Sequence, residues 1–212
     1  AAGVIFQSSF NEELITRYFG KHENSVVIHN GADVGYIDIV HPLEDVILDN
    51  FETVWCCASS WRAHKRLKEN IRYFLEHSNE KECLIVAGNI SDETELVENN
   101  RIFYVGDLNI AQLISLYKRS KYFLHLAWLD HCPNVVVDAR ACGCKIICSS
   151  AGGTREIAGL DAIVIEEDEW DFQPVELYKP PPMNFSRLIK NTFNVEYNMN
   201  IVARKYLDFL KS

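Results

Sequence analysis

Phe123-Leu124-His125-Leu126, then Asp130-His131-Cys132-Pro133-Asn134-Val135-Val136-Val137-Asp138-Ala139-Arg140-Ala141-Cys142-Gly143, then Lys145-Ile146-Ile147-Cys148: the reading of this run decides the fold. Two short apolar segments bracket residues 135–141, whose apolar side chains recur at three- and four-residue spacings, the mark of an amphipathic helix. Pro133 and Asn134 suit its opening turn, where a missing N–H and a fixed φ are harmless. Strand, helix and strand in that order describe a crossover between parallel strands.

The same alternation extends in both directions. Val4-Ile5-Phe6, Val26-Val27-Ile28, Thr53-Val54-Trp55-Cys56, Cys83-Leu84-Ile85-Val86, Ile102-Phe103-Tyr104-Val105 and Ala162-Ile163-Val164-Ile165 read as further strands, and residues 67–75, 110–117 and 201–210 as amphipathic helices. Several strands are apolar throughout, as expected where helices cover both faces. The expected fold class is α/β, a doubly wound Rossmann-like parallel sheet in a three-layer sandwich. Its ligand belongs at the carboxyl ends of the strands, against helix N-termini.

A chain of 212 residues with 48% hydrophobic and 24% charged residues is one ordinary globular domain spanning 1–212. Glu166-Glu167-Asp168-Glu169 and Pro180-Pro181-Pro182 interrupt the pattern, so 166–183 reads as a solvated acidic, proline-rich loop and 184–212 as two closing helices. The net charge of -9 offers no general basic field to nucleic acid or an anionic membrane, so a bound phosphate requires a local pocket. No apolar run approaches the ~20 residues of a transmembrane segment and no signal peptide opens the chain. Seven cysteines in mostly apolar runs suggest buried thiols, hence a reducing, cytoplasmic setting. His131, Cys132, Cys142 and Cys144 match no structural zinc spacing, and Cys142 is expected on the inner face of its helix. Neither a Gly-Lys-Ser phosphate loop nor a Gly-x-Gly-x-x-Gly turn after the first strand is present, which removes the warrant for ATPase and dehydrogenase readings.

Three loops remain that could carry chemistry. Asp130 precedes the helix and Asp138 lies about one turn inside it, so both could face one ligand at the helix mouth, where N–H groups near Asn134, Val135 and Val136 suit a diphosphate. Gly152-Gly153, in Ala151-Gly152-Gly153-Thr154-Arg155-Glu156-Ile157, permits close backbone approach. Ser59-Ser60-Trp61-Arg62-Ala63-His64-Lys65-Arg66 is a basic loop after a strand. Each has a plainer explanation: dipole-favoured acids, a strand-to-helix turn and a solvated basic patch.

Taken in order, these segments resemble the C-terminal, donor-binding domain of retaining glycosyltransferases of the GT-B fold, family 4, over nearly all of residues 3–165. The likeness rests on Val4-Ile5-Phe6-Gln7-Ser8-Ser9, Val27-Ile28-His29-Asn30-Gly31-Ala32-Asp33, Lys65 within 61–67, Tyr104-Val105-Gly106-Asp107, the acid pair and the Gly-Gly-x-x-Glu run. It implies hexosyl transfer from a UDP- or GDP-sugar without metal or other cofactor. By the resemblance, Asp130 contacts hydroxyls of the transferred sugar, and Lys65 with Arg62 neutralises the leaving diphosphate. Asp138 contacts the ribose, Pro133, Asn134, Val135, Gly152 and Gly153 border the donor, and Val105 and Gly106 lie near the base. The chain departs from the family in three ways. Aspartate stands for both glutamates, Ser60 occupies the position of the family's arginine with Arg62 nearest to it, and Lys145 replaces a proline. The implied partner is an N-terminal acceptor domain, in a longer chain or a separate subunit. The alternative is a degenerate, non-catalytic binding or interaction module.

Overall fold

The central strands are buried nearly end to end while successive side chains point to opposite faces, so the sheet is a middle layer with two apolar faces. The computed structural model describes residues 2–91 and 95–211. Its main sheet holds seven strands: β3 (Thr53–Ala58), β4 (Glu82–Ala87), β5 (Ile102–Gly106), β6 (Tyr122–His125), β7 (Lys145–Ser149), β8 (Ile163–Ile165) and β9 (Leu188–Lys190), in the order β5-β4-β3-β6-β7-β8-β9. All neighbours are parallel except β8 and β9. A separate parallel pair, β1 (Val4–Phe6) and β2 (Ser25–Val27), stands beside it.

The two faces are covered differently. Cys56, Ile85, Phe123, Ile146 and Cys148 point to one core, covered by α4 (Ile110–Arg119), α5 (Asn134–Ala141) and the four-residue α6 (Thr154–Ile157). Cys57, Leu84, Val86, Leu124 and Ile147 point to the other, covered by α3 (Leu67–His77) and by Met183 and Phe185 of the proline-rich segment. Phe74 of α3 is fully buried there; a side chain of that size contributes about 2–3 kcal/mol by burial. Asn109 and Gln112 form a capping box at the start of α4, and Lys118 and Arg119 complement the dipole at its end.

All eight expected strands and all four expected helices are present. Periodicity did not expose α1 (Ser9–Phe19), α2 (Val34–Ile39), α6 or β9. The closing segment differs from expectation: it contains β9 and a single helix, α7 (Met199–Lys211), in place of two helices. Leu188, Ile189 and Lys190 alternate exposed, half-buried, exposed, which suits a short antiparallel edge and leaves little apolar signal. The acidic loop is solvated only in part, because Glu167 turns inward to a buried arginine. All seven cysteines are free; Cys142 lies half-buried at the C-cap of α5, packed against the first core. No helix among the described residues is long and apolar enough to cross a membrane.

Candidate active site

The sheet is wound outward from β3 in one direction and from β6 in the other, so the crevice at their carboxyl ends is its topological switch point. Register pairs between β3 and β6 are confined to Trp55↔Tyr122 and Cys56↔Phe123, so Cys57 and Ala58 extend past the shared ladder. The loop after β3 is pinned to β4, since the Trp61 indole N–H donates to the Ala87 carbonyl at 2.8 Å. A 3₁₀ turn, Ala63–Lys65, follows, and Arg66 reverses the chain with φ 54°. The buried Asn70 amide fixes that reversal by donating to the carbonyls of Lys65 (3.1 Å) and Arg66 (2.8 Å) and accepting from Leu126 N–H (3.2 Å).

Lys65 and Asp130 meet in this crevice, with Lys65 Nζ 2.5 Å from Asp130 Oδ2. His125, buried at the end of β6, donates Nε2–H to the same oxygen at 2.9 Å, and the His131 N–H donates to Oδ1 at 3.0 Å. Burial pushes the Asp130 carboxyl upward, but His125 and Lys65 outweigh it and hold the acid well below the usual carboxylate range. Burial, aided by the Lys65 charge, lowers the pKa of His64, whose Nδ1 is buried with no hydrogen-bond partner among the described residues.

The glycine turn is the other wall. Gly153 N–H donates to the Asp130 carbonyl at 2.7 Å. A Cβ on Gly152 would lie 2.6 Å from that oxygen, and one on Gly153 only 2.0 Å from the His131 carbonyl. Larger residues at either position would therefore displace the backbone bearing Asp130. Behind the turn, Glu156 accepts from Ser9 N–H (2.8 Å), Phe10 N–H (2.9 Å) and His29 Nε2 (2.8 Å). Burial pushes its pKa upward, but these donors outweigh it and hold the carboxyl below its ordinary value.

Of the residues singled out in the sequence, Asp130, Lys65, Gly152 and Gly153 converge. Arg62 and Ser60 lie exposed on the adjoining loop. Pro133 caps α5, and the Asn134 and Val135 N–H groups have no acceptor among the described residues, whereas Val136 N–H is taken by the Pro133 carbonyl. Asp138 lines a different cavity, of 440 Å³, with Gln7, Asn30, Gly31, Asp33 and Asn134. Burial raises its pKa to about 6. Val105 and Gly106 end the edge strand β5, where the Gly106 carbonyl accepts from Gly88 N–H at 2.7 Å. Sequence reasoning overlooked His125 and gave Glu156 no role. A histidine closing an otherwise apolar strand was the available signal for the first. No group of three His, Cys, Asp or Glu residues able to hold a metal ion occurs among the described residues.

Comparison with known proteins accords with this geometry. A family model for glycosyl transferases group 1 matches residues 57–172, a narrower span than the resemblance drawn from the sequence. No curated protein matches. Anabaena HepE, solved with UDP-glucose, is 18% identical with a TM-score of 0.64, the alignment covering 100% of this chain and 56% of that one. Sucrose-phosphate synthase of Thermosynechococcus elongatus is 16% identical with a TM-score of 0.58, covering 78% and 45%. The UDP-forming trehalose-phosphate synthase of Burkholderia xenovorans, solved with glucose-6-phosphate, is 14% identical with a TM-score of 0.57, covering 76% and 49%. The chain thus spans about half the length of these structures, whose likeness is one of fold.

Proposed function

The chain belongs to the glycosyl transferases group 1 family, and we propose from that premise that it binds a nucleoside-diphosphate sugar, UDP- or GDP-linked, for retaining transfer to an acceptor. The observation that carries this reading is the Lys65–Asp130 pair at the switch-point crevice, 2.5 Å apart and braced by His125. A carboxylate held ionised there suits the hydroxyls of the transferred sugar. A lysine held beside it supplies positive charge to a departing diphosphate, helped by Arg62 and by the N–H groups of Asn134 and Val135 at the start of α5. Fixed charges placed where charge develops lower the barrier of an oxocarbenium-like step without a metal ion. In the free protein Asp130 already occupies the lysine, so the incoming diphosphate must share that cation.

Asp138 is assigned to the ribose, and acceptor recognition to an N-terminal domain in the same or another chain. A second reading, a binding module without transfer, is favoured by one observation: Asp138 opens into a cavity of its own rather than into the Lys65 crevice. Calorimetric titration with UDP, GDP and ADP in chelator tests the first reading. Saturable binding of one nucleotide is expected, and Lys65→Ala should weaken it about tenfold or more while leaving the matching nucleoside nearly unaffected, since a charge-assisted hydrogen bond is worth about 1.5–3 kcal/mol. Binding of none of the three, or equal losses for nucleotide and nucleoside, would overturn the donor role. Binding without sugar transfer when an acceptor domain is supplied would select the second reading.

A further inference from the structure

A second cleft, of 670 Å³, lies on the other side of the Gly152 turn, between α1 and residues 166–172. Its size falls within the ~300–1,000 Å³ of small-molecule sites. Phe10, Trp170 and Phe172 form an aromatic cluster there, with ring centroids 4.9 Å apart for Trp170 and Phe172 and 6.2 Å for Phe10 and Trp170. The platform is fixed in place: Trp170 Nε1–H donates to the Gln173 carbonyl at 2.9 Å, the Tyr18 hydroxyl donates to the Phe172 carbonyl, and the Arg17 guanidinium sits 4.3 Å from the Phe172 ring centroid. Phe172 holds φ 63°, a conformation non-glycine residues avoid unless their surroundings impose it.

The polar lining is one-sided. Seven carboxylates face two guanidiniums, Arg17 and Arg155. Glu156 and Glu167 are turned inward to their own partners, Glu13 pairs with Arg17, and Glu166 and Asp168 pair with Arg187, while Glu169 has no partner among the described residues. Ionised carboxylates only accept hydrogen bonds, so they select a ligand rich in donors and repel an anion. A surface of C–H groups for the aromatic faces and a rim of hydroxyl donors for the carboxylates together describe a sugar ring. We propose that this cleft is a carbohydrate subsite for an uncharged sugar ring stacked on Trp170. Gly152, which forms a backbone bridge to Asp130, is the wall shared with the crevice. The subsite's use by the acceptor rests on the sugar-transfer reading; its binding of a sugar does not.

The test follows the four tryptophan indole N–H signals by NMR in the 212-residue chain titrated with methyl α-D-glucopyranoside, N-acetylglucosamine and glucose 6-phosphate, each to about 50 mM, the range of weak millimolar sites. The expected result is a saturable shift of the Trp170 signal with at least one neutral sugar and a response about tenfold weaker to the phosphorylated one. Trp170→Ala should abolish that binding, followed by calorimetry, and Trp170→Phe should retain part of it, with nucleotide titration unchanged in both. No saturable shift with either neutral sugar, equal response to the phosphorylated sugar, or undiminished binding by Trp170→Ala would overturn the proposal. Sugar binding without nucleotide binding would sink the transfer reading and leave this subsite standing; the reverse would do the opposite.

Discussion

Asp130 and Asp138 carry the same side chain, one before α5 and one within it, yet their protons are held in opposite ways. Asp130 has His125 and Lys65 as partners, so its pKa is depressed. Its stabilising contribution is present above the unfolded value near ~3.9 and is lost as pH falls through the folded value. Asp138 has burial without a compensating cation and sits at about 6. Between about pH 4 and 6 the folded state holds its proton more tightly than the unfolded chain, so stability declines as pH rises through that window. The full shift corresponds to at most about 3 kcal/mol, or about 1–2 kcal/mol after allowing for partial exposure. Asp138→Asn is therefore expected to stabilise the free protein at pH 7 by about 1–2 kcal/mol and to flatten that slope. It should also weaken binding of the nucleotide whose ribose the carboxylate is proposed to hold. Urea unfolding at pH 4.5 and 7 checks the first effect, and an unchanged slope would count against it. At this scale the order of loops exposed Lys65, Asp130 and the glycines, since each follows a strand end. The separation of Asp138 from Asp130 was not legible, because a helix position fixes a direction but not what packs across from it.

Glu156 shows how one side chain joins two elements. It sits in the short helix α6 yet satisfies the first N–H groups of α1 and the ring of His29, acting as an N-cap supplied from 146 and more residues away. Glu156→Ala should leave those donors unsatisfied and cost about 2–4 kcal/mol. The expected signature is faster amide hydrogen exchange across residues 9–19 with α4 unaffected; equal acceleration in both would indicate global loss instead. Such long-range caps leave little trace in sequence. The strands of the main sheet were legible because both-face burial writes a continuous apolar run. α6 spans four residues and β9 three, too few for a period to show.

At the scale of the molecule, Arg66 and Glu167 hold the proline-rich segment onto the sheet. The guanidinium meets both Glu167 oxygens at 2.8 Å and donates to the Pro181 carbonyl at 2.8 Å, and its side chain is 1% exposed. Removing one partner strands a buried charge, at a cost of about 3–5 kcal/mol. Arg66→Met is thus expected to be severe, and adding Glu167→Gln to recover much of the loss in a double-mutant cycle. Additive losses would show that the pair does not act as a unit. The acidic stretch read as solvated because sequence cannot distinguish the one glutamate that finds a buried arginine from its neighbours. The β1–β2 pair raises a different matter, the order in which the chain is made. Ala32 exchanges backbone hydrogen bonds with Tyr197 and Met199, and Gly31 packs against Met199 and Val202. A ribosome delivers those partners more than 160 residues after Ala32, which at 5–20 residues per second is on the order of ten seconds. The main sheet from β3 to β8 can close as it emerges, while the segment after β2 waits for residues 197–202 to complete its packing.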